Sequence, residues 1–128
     1  MRTEVSTAIE ELGRQFDRAS LSVREDDKGG AYVIIEPVTL GSRYRPESTW
    51  MGFHIPAQYP YADIYPVFIG AECCRADGRA FVAPITPGHQ FEGRAAIQVS
   101  RRSPAAVISS QNAIGKVLKI IRFLETLP

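Results

Sequence analysis

Pro84-Ile85-Thr86-Pro87-Gly88-His89-Gln90-Phe91-Glu92-Gly93-Arg94-Ala95-Ala96-Ile97-Gln98-Val99-Ser100-Arg101-Arg102-Ser103 is the stretch on which the reading of this chain turns. It separates a strand-rich front half from a closing apolar helix. It joins turn-forming residues, a histidine, a small-residue pair and two adjacent arginines. Read as an irregular segment, it is where an active site is expected, with ordered elements on either side.

Upstream, Val5, Ile9, Leu12 and Phe16 recur at four, three and four, the spacing of one helical face, so a helix is expected between Thr3 and Arg18, capped by Thr3 or Ser6. Leu21 and Val23 alternate with polar residues and lead through the glycine-rich turn Glu25-Asp26-Asp27-Lys28-Gly29-Gly30 into Ala31-Tyr32-Val33-Ile34-Ile35-Glu36, a hairpin signal. Pro37 lacks a ladder donor and is expected to end that strand. Thr49 to Ile55 gives a third strand, closed by Pro56, and Tyr65 to Gly70 a fourth. His54 points away from Phe53 and Ile55, which suits a solvent-facing or hydrogen-bonded histidine better than a ligand.

Downstream, Ile114, Val117, Leu118, Ile121 and Leu124 form the apolar stripe of a second helix, capped by Ser109 or Ser110. Lys116, Lys119 and Arg122 fall at intervals of three on another face, read as solvated. The fold class is α+β: an N-terminal helix, a four-stranded antiparallel meander, an irregular segment and a C-terminal helix, in one domain over residues 1–128.

The 128 residues are 45% hydrophobic and 23% charged, ordinary for a globular domain able to build one core. A net charge of +1 gives no basic excess for nucleic acid. The N-terminus lacks the pattern of a signal peptide and no segment has the apolar length of a membrane span, so a cytoplasmic protein without membrane attachment is expected. Cys73 and Cys74 are neighbours, poor geometry for a structural disulfide and in keeping with a reducing compartment.

Several chemistries are poorly served. There is no Gly-x-Ser-x-Gly elbow, no Gly-x-Gly-x-x-Gly and no Walker pattern, and two histidines with two adjacent cysteines have unsuitable spacing for zinc. No metal or organic cofactor is expected. The acidic turn at residues 25–30 lacks the spaced oxygens and closing glutamate of a calcium loop. Cys73 or Cys74 beside Arg75 could be a nucleophile, although small cysteines at strand ends more often serve as buried hydrophobes.

Tyr59-Pro60 and Tyr65-Pro66 after a helix and a meander, then a histidine-bearing stretch and a Gly-x-x-x-apolar segment before a helix, resemble the ubiquitin-conjugating (UBC-type) fold. Gly93 to Ser103 followed by an apolar helix looks like the compact bacterial branch of that family. Some of its members lie in CBASS antiviral operons beside cGAS-like nucleotidyltransferases. The resemblance implies transthiolation: a cysteine carries the C-terminal tail of a ubiquitin-like protein or of such a nucleotidyltransferase as a thioester and passes it to a target in antiphage defence.

The family pattern Gly-x-apolar-Cys-apolar, laid on Gly93 to Val99, puts Ala96 at the nucleophile, where a methyl cannot form a thioester. The chain is then a natural pseudoenzyme or an engineered Cys-to-Ala form, the latter being the favoured reading. The family's His-Pro-Asn element is met by Gly88-His89-Gln90, leaving His89 and Gln90 as oxyanion or orienting candidates in place of a donor worth ~3 kcal/mol. Ser100, Arg101 and Arg102 are the residues expected to position the incoming tail. Because the chain ends at Pro128, partner surfaces on the later helices of eukaryotic members are not carried over. The alternative is a non-catalytic UBC-like module that binds a partner's C-terminal tail.

Overall fold

The computed structural model describes residues 1–102 and 112–128. Helix α1 spans Thr3–Gln15 and helix α2 spans Ala113–Glu125. Between them run β1 (Ser20–Glu25), β2 (Ala31–Thr39), β3 (Tyr44–Arg45), β4 (Ser48–Ile55), β5 (Val67–Gly70), β6 (Cys74–Arg75), β7 (Ile85–Phe91) and β8 (Arg94–Val99). Six strands form one antiparallel sheet in the order β1-β2-β4-β5-β8-β7, while β3 and β6 pair separately. The α+β class and the expected meander are therefore present, as β1, β2, β4 and β5.

The stretch read as irregular is a β-hairpin. Phe91 pairs with Arg94 across Glu92 and Gly93, whose φ values of +50° and +77° suit a two-residue turn of the primed type. Its strands extend the sheet beyond β5, with Gly70 opposite Ala96 and Ile69 opposite Ile97. The proline and glycine signals that suggested irregularity are absorbed on the edge strand, where the register shifts between Thr86 and His89. Pro37 is handled alike: β2 continues past it to Thr39, with a register shift between Ile35 and Val38.

Both helices contribute to the core that covers one face of the sheet. Val5, Ala8 and Leu12 of α1 and Ala113, Val117, Ile120 and Leu124 of α2 join the inward residues Val33, Ile35, Met51, Phe53, Val67, Ile69, Ile97 and Val99. Fully burying a side chain such as Leu12 or Ile120 stabilises by about 1.5–3 kcal/mol, which fixes how each helix is turned. The expected stripe of α2 is corrected accordingly: Ile120 is buried, Leu118 is exposed, and Ile114 and Ile121 pack only at the margin. The caps also differ from expectation. Arg2 occupies the N-cap of α1 without a side-chain bond, and Asn112 caps α2 by accepting from the Gly115 N–H at 2.6 Å. Ser109 and Ser110 lie outside the described residues.

No helix among the described residues is long and apolar enough to cross a membrane.

Candidate functional site

The residues singled out in the hairpin region divide between two places. Ala96 and His89 lie on the outer face of the sheet, opposite each other in register. Gln90 is exposed and, one residue along the strand, faces the other way, so it does not join His89 beside Ala96. Ser100, Arg101 and Arg102 follow the end of β8, with Arg101 about 16 Å from Ala96 along an extended chain. The grouping of all six around one reacting centre is not what the fold produces.

Ala96 is 1% exposed and belongs to a second apolar cluster with Ile34, Trp50 and Phe91, flanked by Tyr32 and Phe68. This cluster exists because Gly52 leaves a depression in β4: a Cβ there would stand 2.6 Å from the Phe91 ring. Phe91 settles into that space, stacked 5.0 Å from Phe68 and 6.2 Å from Trp50. His89 is half-buried, with its ring edge toward Phe68 at 6.3 Å.

The hairpin tip is clipped across the outer face by two ion pairs. Arg24 on β1 donates to both Glu92 carboxylate oxygens, at 2.9 and 2.7 Å, and Arg94 donates to Glu36 on β2 at 3.0 Å. The Arg24 guanidinium also lies 4.4 Å over Tyr32, and Arg94 5.4 Å over Trp50. Hydrogen bonding to Arg24 holds the Glu92 carboxyl below its usual range. A cleft of about 260 Å³ opens beside β1, lined by Ser22, Arg24, Tyr32, Ile34, Glu92 and Arg94.

His54 occupies the same face, as its alternation predicts, and its Nε2 lies 2.6 Å from Asp26 Oδ2. Asp26 Oδ1 accepts from the Lys28 and Gly30 N–H groups at 2.8 and 2.9 Å. The His54 contact and then these two backbone donors, against the opposing effect of burial, lower the Asp26 carboxyl to about 2. The acidic turn is thus a self-bonded Asp26 turn tied to β4. Among the described residues no group of three His, Cys, Asp or Glu side chains is placed to hold a metal.

The edges of the sheet differ in their ability to pair. β7 carries Pro87, Gly88 and a register irregularity, devices that blunt an edge. β1 has six residues without proline, in unbroken register with β2. The Asp26 N–H donates to the Gly30 carbonyl, so the antiparallel alternation places Arg24 and Ser22 in bonded pairs and leaves the N–H groups of Leu21, Val23 and Glu25 directed to the open edge. Val23 is 43% exposed there.

The second place is the seam between the end of β8 and α2. Arg101, Arg102, Lys119 and Arg122 line a cleft of about 410 Å³ whose apolar lining includes Ile120 and Phe123. Lys116, read from sequence as solvated, is instead 3% exposed and bonded through Nζ to Asp63 at 3.0 Å and to the Arg101 carbonyl at 2.9 Å. Desolvation lowers its pKa, opposed by Asp63 and reinforced by Lys119 and Arg101. Tyr59 is buried nearby, where its hydroxyl accepts from the Ala113 N–H at 2.9 Å and orients α2.

Comparisons with protein-family models, with curated proteins and with solved structures find no match. Cys73 is a poor nucleophile: it is 3% exposed, and burial pushes its thiol up to about 11. Cys74 is exposed, with its sulfur 3.4 Å from the Arg45 carbonyl, and both thiols are free. Sequence reasoning missed the outer-face cluster, although Tyr32 with Ile34, Trp50 with Gly52, and Phe68 each stand on the side of their strand away from the core, a period-two signal that could have found it.

Proposed function

We propose that this chain is a UBC-like module that captures the extended C-terminal tail of a partner without forming a covalent bond to it. The partner is a ubiquitin-like protein or a cGAS-like nucleotidyltransferase, the two classes that the family resemblance implies, and antiphage defence is the setting. The observation that carries the non-covalent reading is the position of Ala96. It is 1% exposed, in register with both Gly70 and His89 inside the sheet. A thioester requires an incoming carbonyl to reach the nucleophile, and this methyl is covered.

The tail's seat follows from the edges. An extended peptide adds to an open strand through main-chain bonds, and pockets for alternate side chains supply selectivity. β1 offers the outward N–H groups of Leu21, Val23 and Glu25, the exposed Val23 side chain and the adjoining 260 Å³ cleft. Arg101 and Arg102 stand near the opposite side of the sheet, with three strands between β1 and β8. They are not assigned to the tail.

The reading is tested with a synthetic peptide ending in glycine, taken from each partner class and titrated into the isotope-labelled protein. Shifts are expected at residues 20–25, unchanged in Ala96→Ser. In Ala96→Cys, no reductant-sensitive adduct should form with a tail thioester. An adduct there, formed at a rate that depends on His89, would restore the catalytic reading and overturn this one.

A further inference from the structure

The seam between β8 and α2 has a charge arrangement that tail capture does not use. Arg101, Arg102, Lys119 and Arg122 are all exposed and line one concavity of about 410 Å³. Among the described residues none of the four has a carboxylate partner within ion-pair distance. Asp63, a carboxylate close by, is engaged by the buried Lys116. Four like charges held together in a chain of net charge +1 repel one another, and an anion removes that penalty.

Two of the four are held in place. The Arg102 guanidinium lies 3.9 Å over the Tyr65 ring and that of Arg101 lies 4.5 Å over Phe123. Such stacking fixes the planar forks before a ligand arrives and reduces the side-chain entropy lost on binding. The apolar surface of Ile120 and Phe123 strengthens the field within the cleft.

We propose that this cleft binds a small polyphosphate group, either free or as the clustered phosphates of a lipid headgroup. Charge count decides the ligand class. A terminal carboxylate brings one negative charge and satisfies one guanidinium, whereas linked phosphates bring several charges on oxygens whose geometry suits arginine forks. A nucleic acid would call for a stripe of cations along a surface, and these four converge on one hollow.

The test is calorimetric titration of the whole chain at low salt with sodium tripolyphosphate, orthophosphate, acetate and a short single-stranded oligonucleotide. Sedimentation with phosphatidylcholine vesicles, with and without phosphatidylinositol bisphosphate, forms the second arm. Tripolyphosphate should bind more tightly than orthophosphate, and acetate should give no heat. Arg102→Gln and Lys119→Gln should each weaken binding by about tenfold, while Arg14→Gln, on exposed α1 surface, leaves it unchanged. Vesicle binding that needs bisphosphate and the same two residues, without tripolyphosphate binding, assigns the phosphates to a headgroup. The proposal is overturned by silence in both arms, by binding indifferent to both substitutions, or by an oligonucleotide that binds through these residues more tightly than tripolyphosphate. Arg102 and Lys119 are exposed, so unchanged melting of the variants separates lost binding from lost folding.

Discussion

The outer face of the sheet and the cleft beside α2 both gather charged side chains around aromatic rings, yet their charges are used differently. On the outer face each interaction closes on itself: Arg24 with Glu92, Arg94 with Glu36, and His54 with Asp26. In the cleft only Lys116 is answered, by Asp63, and the four remaining cations have no carboxylate partner among the described residues. Paired groups hold the hairpin and the first turn against the sheet. The unpaired set is available to a ligand. Net charge hides this contrast, since a chain of +1 can place its compensated and uncompensated charges in separate regions.

The strongest way to break the contrast is to remove the one compensated cation of the cleft. Lys116→Ala takes the ammonium away from the Asp63 carboxylate, whose side chain is 8% exposed, and should destabilise by about 3–5 kcal/mol, measured by urea denaturation. Lys116→Met together with Asp63→Leu should recover much of that loss, because the packing space is kept and neither charge remains. On the outer face, Phe91→Ala empties the depression over Gly52 and should cost about 3 kcal/mol by the same measurement. Gly52→Ala forces the ring away from the opposite direction and should cost about 1–3 kcal/mol.

The smallest effect is expected from acid. Asp26 has a depressed carboxyl, at about 2 in the folded chain, against about 3.9 when unfolded. The stability it contributes is therefore fully present above pH ~4 and is lost as pH falls from there toward 2. A series of melting curves in this range should show a shallower pH dependence for Asp26→Asn than for the parent chain. An identical slope would remove the His54 pairing from the account.

The helices and the meander were legible because their hydrophobic periods are strong and local. Val5 and Leu12 lie on the core side of α1 as their spacing predicts, and β4 runs where Thr49 to Ile55 predict a strand, with Met51, Phe53 and Ile55 in the core and Trp50 in the outer cluster. The hairpin of β7 and β8 was obscured because Pro87 and Gly88 signal a break wherever they occur, and nothing local reveals that they stand on a sheet edge that tolerates them. Helix α2 was turned by one position because Leu118 and Ile120 are equally apolar in sequence, and only packing against the sheet chooses Ile120. Lys116 was misread for a related reason. Its partner Asp63 lies 53 residues away, beyond any local pattern. Position 96 is singled out only by the family resemblance, and its burial follows from Phe91 and Gly52, which meet only in three dimensions.

The claim at the centre is that an extended tail pairs with β1 and needs no nucleophile. Val23→Pro tests it most directly, since the N–H it removes points to the open edge and does not serve the β1–β2 ladder. The variant should melt as the parent does and lose binding of the glycine-ending peptide; Leu21→Pro should lose binding too, at a lower melting temperature because Leu21 packs against the core. Two folded proline variants that bind the peptide as tightly as the parent would contradict the account.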